Sequence, residues 1–233
     1  MNHIDSLSVI IPAYNECHSL RDVFAGITKE LDRIGIPFEI IVVDDGSDDG
    51  SADVMSKLSE AEPRLRVLRH ARNRGKGSAL RTGLNAATLD WTLFVDADQQ
   101  VSLRELEAFD AAAQHADIII GYRGNKNYLF QRRIVSWFYN FAVRILFGIH
   151  VRDVGCPFKL LRTKLAQSVQ LTTNGFGFDV ELLWRVSRAG LRCSELPVVA
   201  LPRQAGESKV TMRRIVLCLG ELLRLWLCRH AKA

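Results

Sequence analysis

The sequence is poor in cysteine and lacks long uncharged apolar runs. Its five cysteines are scattered without a C-x-x-C pair. This argues against a disulfide framework or a structural zinc site and favours a reducing cytosol. No uncharged apolar run reaches the roughly 18 residues of a membrane-spanning helix. The N-terminus has no basic stretch followed by a long apolar one, so we predict no secretory signal.

The remaining composition is that of one folded domain. With 48% hydrophobic and 24% charged residues and only six prolines, disordered, collagen-like and low-complexity architectures are excluded. The 233 residues suit one α/β domain, or one domain with an appended element. They are too few for two full-sized enzymatic domains.

Positive charge is concentrated in two segments. Residues 122–152 carry six Arg or Lys and no acid, and residues 210–233 carry five against one glutamate, in a chain of net charge +5. The rest of the chain is therefore acidic overall. Two basic, apolar-rich segments indicate an anionic partner that meets the protein there, although ordinary solvated faces would give the same pattern.

Short apolar, β-branched runs alternate with helical patterns in the first half of the chain. The predicted strands are Ser8–Ile11, Glu39–Val43, Leu65–Leu68, Trp91–Val95 and Ala116–Ile120. The predicted helices are 16–34, 51–58, 77–87 and 104–114. This alternation predicts βαβ units and a parallel sheet.

The two basic segments predict amphipathic helices, at about residues 132–148 and 210–228, each with a broad apolar face. Arg144, Glu221 and Arg224 would be costly at the centre of a bilayer, so we do not expect these helices to span it. They either lie in a membrane interface or pack in protein, covering the sheet or forming a dimer contact.

Acidic side chains directly follow one of the predicted strands. Asp96 and Asp98 come after the run WTLFV, and Gln100 follows two residues later. Ligands collect at the carboxyl ends of parallel strands, and hard oxygen ligands suit Mg²⁺ or Mn²⁺. The pattern therefore predicts a metal site, with an ordinary acidic loop as the alternative.

Two further strand ends carry polar residues. Residues 12–16 (PAYNE) follow the first strand and residues 44–47 (DDGS) follow the second. Together they predict one crevice that grips a nucleotide, with Tyr14 able to stack on a base. Residues 72–78 (RNRGKGS) lack the spacing of a phosphate-binding P-loop. We interpret them as a tight turn that opens the helix at Gly77.

Eight motifs follow one another from Ser8 to Lys209. They are SVIIPAYNE, EIIVVDDGSDDGS, RNRGKGSALRTG, FVDADQQ, GYR (121–123), RDVGCPFKLL (152–161), GFDVELL (177–183) and RQAGESK (203–209). The first four resemble the inverting family 2 glycosyltransferases. With the later four, the chain resembles the polyprenyl-phosphate sugar synthases, the group of dolichyl-phosphate mannose and dolichyl-phosphate glucose synthases. The resemblance implies an α/β, Rossmann-like glycosyltransferase A-type fold with a mostly parallel mixed sheet flanked by helices.

The resemblance also implies the site, position by position. The implied nucleotide-sugar-binding residues are Pro12, Ala13, Tyr14, Glu16, Val43, Asp45, Asp96 and Ala97. The implied metal ligands are Asp96, Asp98 and Gln100, for Mg²⁺ or Mn²⁺. The implied catalytic residues are Asp98, Arg123, Arg203, Lys209, Asp179 and Glu181. The basic members agree with the chemistry, because a diphosphate leaving group and a lipid phosphate together need several cations.

Asp179 and Glu181 allow two interpretations. If their segment is extended, both carboxylates share one face and orient sugar hydroxyls; on a helix they diverge. They are equally typical of acids at a helix start. We expect Cys156, within the GCPFK motif, to serve packing only.

The implied reaction transfers a hexose from a nucleotide-sugar to a polyprenyl phosphate, with inversion at the anomeric carbon. A phosphate acceptor is already anionic, so it needs positioning more than deprotonation. The acceptor is a lipid embedded in the bilayer, so we expect the enzyme to bind the cytoplasmic face of the membrane through its amphipathic helices. We assign residues 1–209 to the catalytic domain, including the first of these helices, and residues 210–233 to a C-terminal amphipathic basic helix.

The donor and some alternatives stay open. CPFKLL and FDVELL resemble the glucose branch, whereas RQAGESK resembles the mannose branch, so the donor is either GDP-mannose or a UDP-hexose. The C-terminal region lacks the spanning helices of some relatives, so anchoring would be peripheral or through a membrane-spanning partner. The absence of a Q-x-x-R-W motif argues against a processive polysaccharide synthase. Two alternative hypotheses remain. One is a glycosyltransferase with a soluble, protein or glycan acceptor, and the other is a non-catalytic nucleotide-sugar-binding protein. Nucleic acid is disfavoured as a partner because long aliphatic residues interleave the basic segments.

Overall fold

We describe residues 3–97, 102–124, 130–199 and 212–228 of a computed structural model, without the side chains of residues 130–136, 212–216 and 228. The strands are β1 Leu7–Ala13, β2 Phe38–Asp44, β3 Leu65–Arg69, β4 Trp91–Phe94, β5 Ile118–Arg123, β6 Lys159–Arg162 and β7 Cys193–Val198. The helices are α1 Leu20–Ile34, α2 Ser51–Ala61, α3 Lys76–Ala86, α4 Leu106–Ala113, α5 Phe130–Phe147, α6 Thr163–Ser168, α7 Phe178–Arg188 and α8 Met212–Cys228. A short 3₁₀ helix, Leu103–Glu105, precedes α4.

The strands form one mixed sheet in the order β3-β2-β1-β4-β6-β5-β7. Only β6 runs antiparallel to its neighbours, β4 and β5, and the other pairs are parallel. Because β6 reverses direction between β4 and β5, those two strands point the same way. The carboxyl ends of β1, β2, β4 and β5 therefore lie at one edge of the sheet. This mixed sheet flanked by helices confirms the predicted fold class.

The sheet is buried on both faces. Val9 and Ile11 pack into one hydrophobic cluster, and Ile10 packs into the other. Parallel strands covered on both faces are apolar at every position rather than at alternate ones, which explains the continuous run in β1. Each such side chain contributes roughly 1.5–3 kcal/mol when it is fully buried.

The predicted boundary that differs most from the structure is the start of the first helix. The helix predicted from Glu16 begins only at Leu20. The backbone N–H groups of Asn15 and Glu16 donate instead to the hydroxyls of Ser47 and Ser51, each at 3.0 Å. Asn15 also adopts a positive φ of 53°, which a helix cannot accommodate. The helix predicted at 104–114 begins as the 3₁₀ turn.

The two amphipathic segments are helical as predicted. Helices α5 and α8 meet at one point, where the Cys218 thiol of α8 lies 4.0 Å from the Tyr139 hydroxyl of α5. Within the part of the chain that the structure describes, no helix is both long and apolar enough to cross a membrane.

Candidate active site

The first part of the site is the junction of β1 and β2 at the carboxyl edge of the sheet. Pro12 pairs with Val43, and the backbone N–H of Asp45 donates to the carbonyl of Ala13 at 2.8 Å. The predicted residues Pro12, Ala13, Val43 and Asp45 are thus brought together. Ala13 and Val43 are buried in the core, so only their backbone is available at this edge.

The loop after β1 is tied to the turn after β2. The Asn15 side-chain amide donates to Asp48 at 2.8 Å, and the Asp48 backbone N–H donates back to the Asn15 side-chain oxygen at 3.1 Å. Tyr14 and Glu16, which flank Asn15, are both half-buried. The predicted nucleotide-binding loop is therefore held in one conformation by its neighbour.

Asp45 is buried and anchors the segment before α3. Its carboxylate lies 2.6 Å from His70 Nδ1 and accepts the backbone N–H groups of Arg74 at 2.9 Å and Gly75 at 2.8 Å. The second ring nitrogen of His70 lies 2.9 Å from the Thr82 hydroxyl. Sequence analysis missed His70, although its place directly after β3 was an available signal.

Asp96 forms the second part of the site, at the end of β4. Its carboxylate pairs with the ammonium group of Lys76 at 2.6 Å, and both side chains are partly exposed. Lys76 is the first residue of α3 and follows Gly75, whose φ of 98° disfavours any residue with a Cβ. The sequence analysis interpreted residues 72–78 as a tight turn and did not assign Lys76 to the site. Its position at the start of a predicted helix could have indicated an anion-binding role, because helix N-termini bind anions.

The chemistry of this edge suits a divalent cation. Asp96 offers a partly exposed hard oxygen ligand, as Mg²⁺ and Mn²⁺ prefer. Asp98 and Gln100, the other two predicted ligands, lie outside the described residues. Among the residues that are described, no three His, Cys, Asp or Glu side chains are grouped to hold a metal.

Arg123 is the last residue of β5 and lies at the same edge of the sheet. Its guanidinium forms a two-pronged ion pair with the buried Asp153, with Nε–Oδ2 and Nη2–Oδ1 distances of 2.8 Å and 3.2 Å. A guanidinium held on one side by a carboxylate is fixed in orientation toward its other ligand. The predicted catalytic residues Arg203 and Lys209 lie outside the described residues.

Asp179 and Glu181 lie on α7 and diverge, as expected for a helix. Asp179 is partly exposed and accepts the ammonium group of the fully buried Lys159 at 2.7 Å. Glu181 is fully buried. Its carboxylate accepts the backbone N–H groups of Thr172 at 2.8 Å and Thr173 at 2.6 Å.

Burial alone would raise the pKa of Glu181, but the hydrogen bonds from residues 172 and 173 outweigh it and hold the pKa below its usual value. The Glu181 carboxylate therefore stabilises the fold, whereas the Asp179 carboxylate is partly exposed. Cys156 is buried, and burial raises the pKa of its thiol to about 11, which fits packing.

These features define a class of protein. Acids, a lysine and an arginine lie at the carboxyl edge of a mixed sheet, where open α/β sheets bind their ligands, and this arrangement agrees with an enzyme of the GT-A glycosyltransferase fold. The chain matches the glycosyl transferase family 2 over residues 8–169. The chain therefore belongs to glycosyl transferase family 2 and is a glycosyltransferase, which confirms the predicted family and enzyme class.

Two curated relatives carry the comparison further. An undecaprenyl-phosphate mannosyltransferase of Micrococcus luteus is 31% identical over 215 residues, which cover 87% of this chain and 86% of the relative. Glycosyltransferase AglD of Haloferax volcanii is 29% identical over 232 residues, which cover 94% of this chain. The chain spans only 37% of the length of the AglD protein.

Solved structures agree on the fold. Glucosyl-3-phosphoglycerate synthase from Mycobacterium tuberculosis, crystallised with Mg²⁺ and uridine diphosphate, superposes with a TM-score of 0.70 at 20% identity. The superposition covers 94% of this chain and 79% of that one.

Proposed function

We propose that this protein transfers a hexose from a nucleotide-sugar, of the GDP-mannose or UDP-glucose type, to a polyprenyl phosphate at the cytoplasmic face of the membrane. The observation that carries the proposal is the association of two features in one fold. Acidic and basic side chains lie at the carboxyl edge of the sheet, and helices α5 and α8 expose large apolar side chains. The relative from Micrococcus luteus, named as an undecaprenyl-phosphate mannosyltransferase, supports the same acceptor class.

The donor would lie along the carboxyl ends of β1, β2 and β4. The nucleoside would occupy the crevice beside Tyr14 and the segment that Asp45 anchors. The diphosphate would then reach Asp96 and Lys76, which are 2.6 Å apart. A lysine at a helix start combines its own charge with the backbone N–H groups there, so it favours a phosphate.

The reaction would be a single in-line displacement at the anomeric carbon, with inversion. The acceptor phosphate attacks without a general base because it is already anionic, and the bond to the nucleoside diphosphate breaks on the opposite side. Arg123, oriented by Asp153, would face one of the two phosphates, together with Arg203 and Lys209. Their charges stabilise the negative charge that the leaving group acquires.

Asp96, Asp98 and Gln100 would hold a divalent cation, Mg²⁺ or Mn²⁺. When bound, such a cation neutralises a diphosphate leaving group. The relative from Mycobacterium tuberculosis, crystallised with Mg²⁺ in one structure and Mn²⁺ in another, supports this cofactor.

The apolar faces of α5 and α8 would seat the protein on the bilayer. On α5, Trp137 is 59% exposed and stacks on the exposed ring of Phe141 at 5.3 Å between ring centroids. On α8, Leu219, Leu223 and Leu227 are exposed at spacings of four. Monomeric proteins seldom expose so many large apolar side chains together, so they mark a membrane or protein contact. The basic residues of both segments favour an anionic lipid surface.

The function is tested by nucleoside diphosphate release from GDP- and UDP-sugars, with Mg²⁺ or Mn²⁺, with and without a short polyprenyl phosphate. We expect turnover with one donor that requires the lipid phosphate and is abolished in Asp98→Ala. Turnover with a soluble acceptor and no lipid would favour the alternative, a glycosyltransferase with a soluble, protein or glycan acceptor. Nucleotide-sugar binding without any turnover would favour a binding protein.

The proposed membrane contact of α5 is tested by the double variant Trp137→Ser, Phe141→Ser. Because two large aromatic surfaces no longer enter the interface, we expect binding to vesicles of phosphatidylcholine and phosphatidylglycerol to weaken roughly tenfold or more. Co-sedimentation measures it. Val199→Ser is the matched control, since Val199 is 63% exposed but lies on neither helix. Vesicle binding that weakens equally in both variants, or that does not weaken in the double variant, would contradict the proposed membrane contact.

A further inference from the structure

The loop that precedes α7, residues 172–177, is held from two sides. On one side Glu181 of α7 accepts the backbone N–H groups of Thr172 and Thr173. On the other side Glu221 of α8 accepts two more backbone N–H groups of the loop. We call residues 172–177 the clasped loop. Through Glu221, α8 contacts the clasped loop at the start of α7.

Glu221 joins α8 to the clasped loop through both of its oxygens. One oxygen accepts the N–H of Gly175 and the other accepts the N–H of Gly177, each at 2.9 Å. A Cβ at Gly175 would lie 2.7 Å from Glu221 Oε2 and closer still to Oε1. Only glycine allows the carboxylate to approach the backbone this closely, so the sequence of the loop is fitted to this contact.

The opposite face of the clasped loop holds the start of α3. The carbonyl of Asn174 accepts the Ser78 backbone N–H at 3.0 Å. Arg81 of α3 donates to the carbonyl of Thr173 at 3.1 Å and to the Asn174 side chain at 2.7 Å. A Cβ at Gly75 would lie 2.5 Å from the carbonyl oxygen of Asn174, so the two backbones are in direct contact.

The start of α3 is also part of the donor site. Gly75 donates to the Asp45 carboxylate at 2.8 Å, and Lys76, the next residue, pairs with Asp96 at 2.6 Å. A continuous series of hydrogen bonds and backbone contacts therefore leads from α8 through Glu221 and the clasped loop to Lys76 and Asp96.

We infer that Glu221 is a positioning residue, which transmits the placement of α8 to the diphosphate end of the donor site. It touches neither donor nor acceptor in this role. The inference rests on the proposed function, because the apolar face of α8 is the surface that would dock on the bilayer. Docking of α8 would then stabilise the arrangement of Lys76 and Asp96 that binds the donor, and donor binding would strengthen docking by the same factor.

The test compares Glu221→Gln with the wild-type full-length chain. The amide keeps the size of the side chain, but only its oxygen accepts a hydrogen bond, and its NH₂ group then opposes the other glycine N–H. We expect the affinity for UDP or GDP in the presence of Mg²⁺, measured by calorimetry without lipid, to fall about tenfold. Co-sedimentation with vesicles should be unchanged in the absence of nucleotide, because the apolar face is intact.

The coupling itself is measured by adding vesicles of phosphatidylcholine and phosphatidylglycerol to the calorimetry. We expect the vesicles to tighten nucleotide binding in the wild type and to have little effect in Glu221→Gln. Glu107→Gln is the matched control, because Glu107 of α4 is exposed and pairs with Arg33 of α1 at the surface. It should retain the wild-type affinity and the vesicle effect.

Gly175→Ala disturbs the same contact from the loop side and decides the matter if Glu221→Gln fails to fold. Its effect should be small in a Glu221→Ala background, because the atoms that the new Cβ meets are then absent. Wild-type nucleotide affinity in both single variants would overturn the inference, as would equal losses in Glu107→Gln. If the wild type binds nucleotide but has no turnover with a lipid phosphate, the proposed function fails, while the vesicle-free comparison still tests Glu221.

Discussion

The variant Asp96→Asn is expected to lower kcat/KM by roughly 10²–10³-fold. The amide has the shape of the carboxylate but not its charge, so it binds a divalent cation weakly and no longer neutralises the Lys76 ammonium group at 2.6 Å. Steady-state kinetics with the preferred donor measures the loss.

A second measurement separates loss of the reaction from loss of the pocket. In the absence of metal, Asp96→Asn removes a negative charge beside the diphosphate site, so the affinity for free UDP or GDP should not fall. In Lys76→Met it should fall, because an ammonium group that faces the diphosphate is removed. A variant Asp96→Asn with wild-type kcat and KM would show that this edge of the sheet is not the donor site.

Asp90→Asn is the matched control for this experiment. Asp90 precedes Trp91 at the opposite end of β4, where its carboxylate accepts the Ser6 hydroxyl at 2.8 Å. The control is therefore the same Asp-to-Asn substitution beside the same strand, but at the opposite edge of the sheet from Asp96. We expect its kcat/KM to stay within about twofold of wild type, in line with ordinary surface substitutions.

The variant Glu181→Ala is expected to lower the free energy of unfolding by about 3–5 kcal/mol. Glu181 is fully buried, and it also pairs with Arg185 at 2.8 Å. Its removal leaves the backbone N–H groups of residues 172 and 173 without their acceptor and Arg185 without its partner, which costs more than the pair contributes. Urea unfolding followed by circular dichroism measures the change.

Glu107→Ala is the control for this loss. Glu107 is exposed and its ion pair with Arg33 lies in water, where such pairs contribute about 0–1 kcal/mol. A loss in Glu181→Ala that is no larger than in Glu107→Ala would contradict the structural role that we assign to the buried carboxylate.

The same residue gives a pH dependence of defined sign. Because the pKa of Glu181 is lower in the folded protein than its ordinary value of 4.5, the folded state releases the proton more readily than the unfolded state. The carboxylate therefore contributes stability that is present above about pH 4.5 and is lost as the pH falls through the lower folded value. Unfolding free energies measured across this range should show a shallower decline in Glu181→Gln.

Much of the fold could be predicted because it is encoded in short runs. Strands β1 to β4 were predicted to within two residues of their ends and β5 to within three, since buried parallel strands are continuous apolar runs. The later strands β6 and β7 were not assigned. The sequence of β7, CSELPV, has two adjacent polar residues where a strand would alternate, and it contains a proline, which weakens the strand signal. The order of the sheet, with β6 inserted between β4 and β5, depends on pairings that no local pattern carries.

The candidate site divides in the same way. Asp45 and Asp96 could be predicted to lie together because each follows a strand that points to the same edge, whereas Arg123 was implied only by the family resemblance. The motifs located them along the chain, but not their partners. His70, Lys76 and the ion pair of Arg123 with Asp153 involve residues 20 to 30 positions away, and only the folded chain brings them into contact.

The motifs of this chain resemble the family 2 glycosyltransferases, and its hydrophobic periodicity predicts an α/β fold with acids at strand ends and two amphipathic helices. All of these are local properties of the chain, so they can be recognised without the fold. Only the folded chain shows that Asp179 and Glu181 diverge on a helix and that Glu221 of α8 binds the clasped loop. Both depend on which groups meet across the fold. A buried carboxylate takes its role from the N–H groups that surround it rather than from its neighbours in the chain.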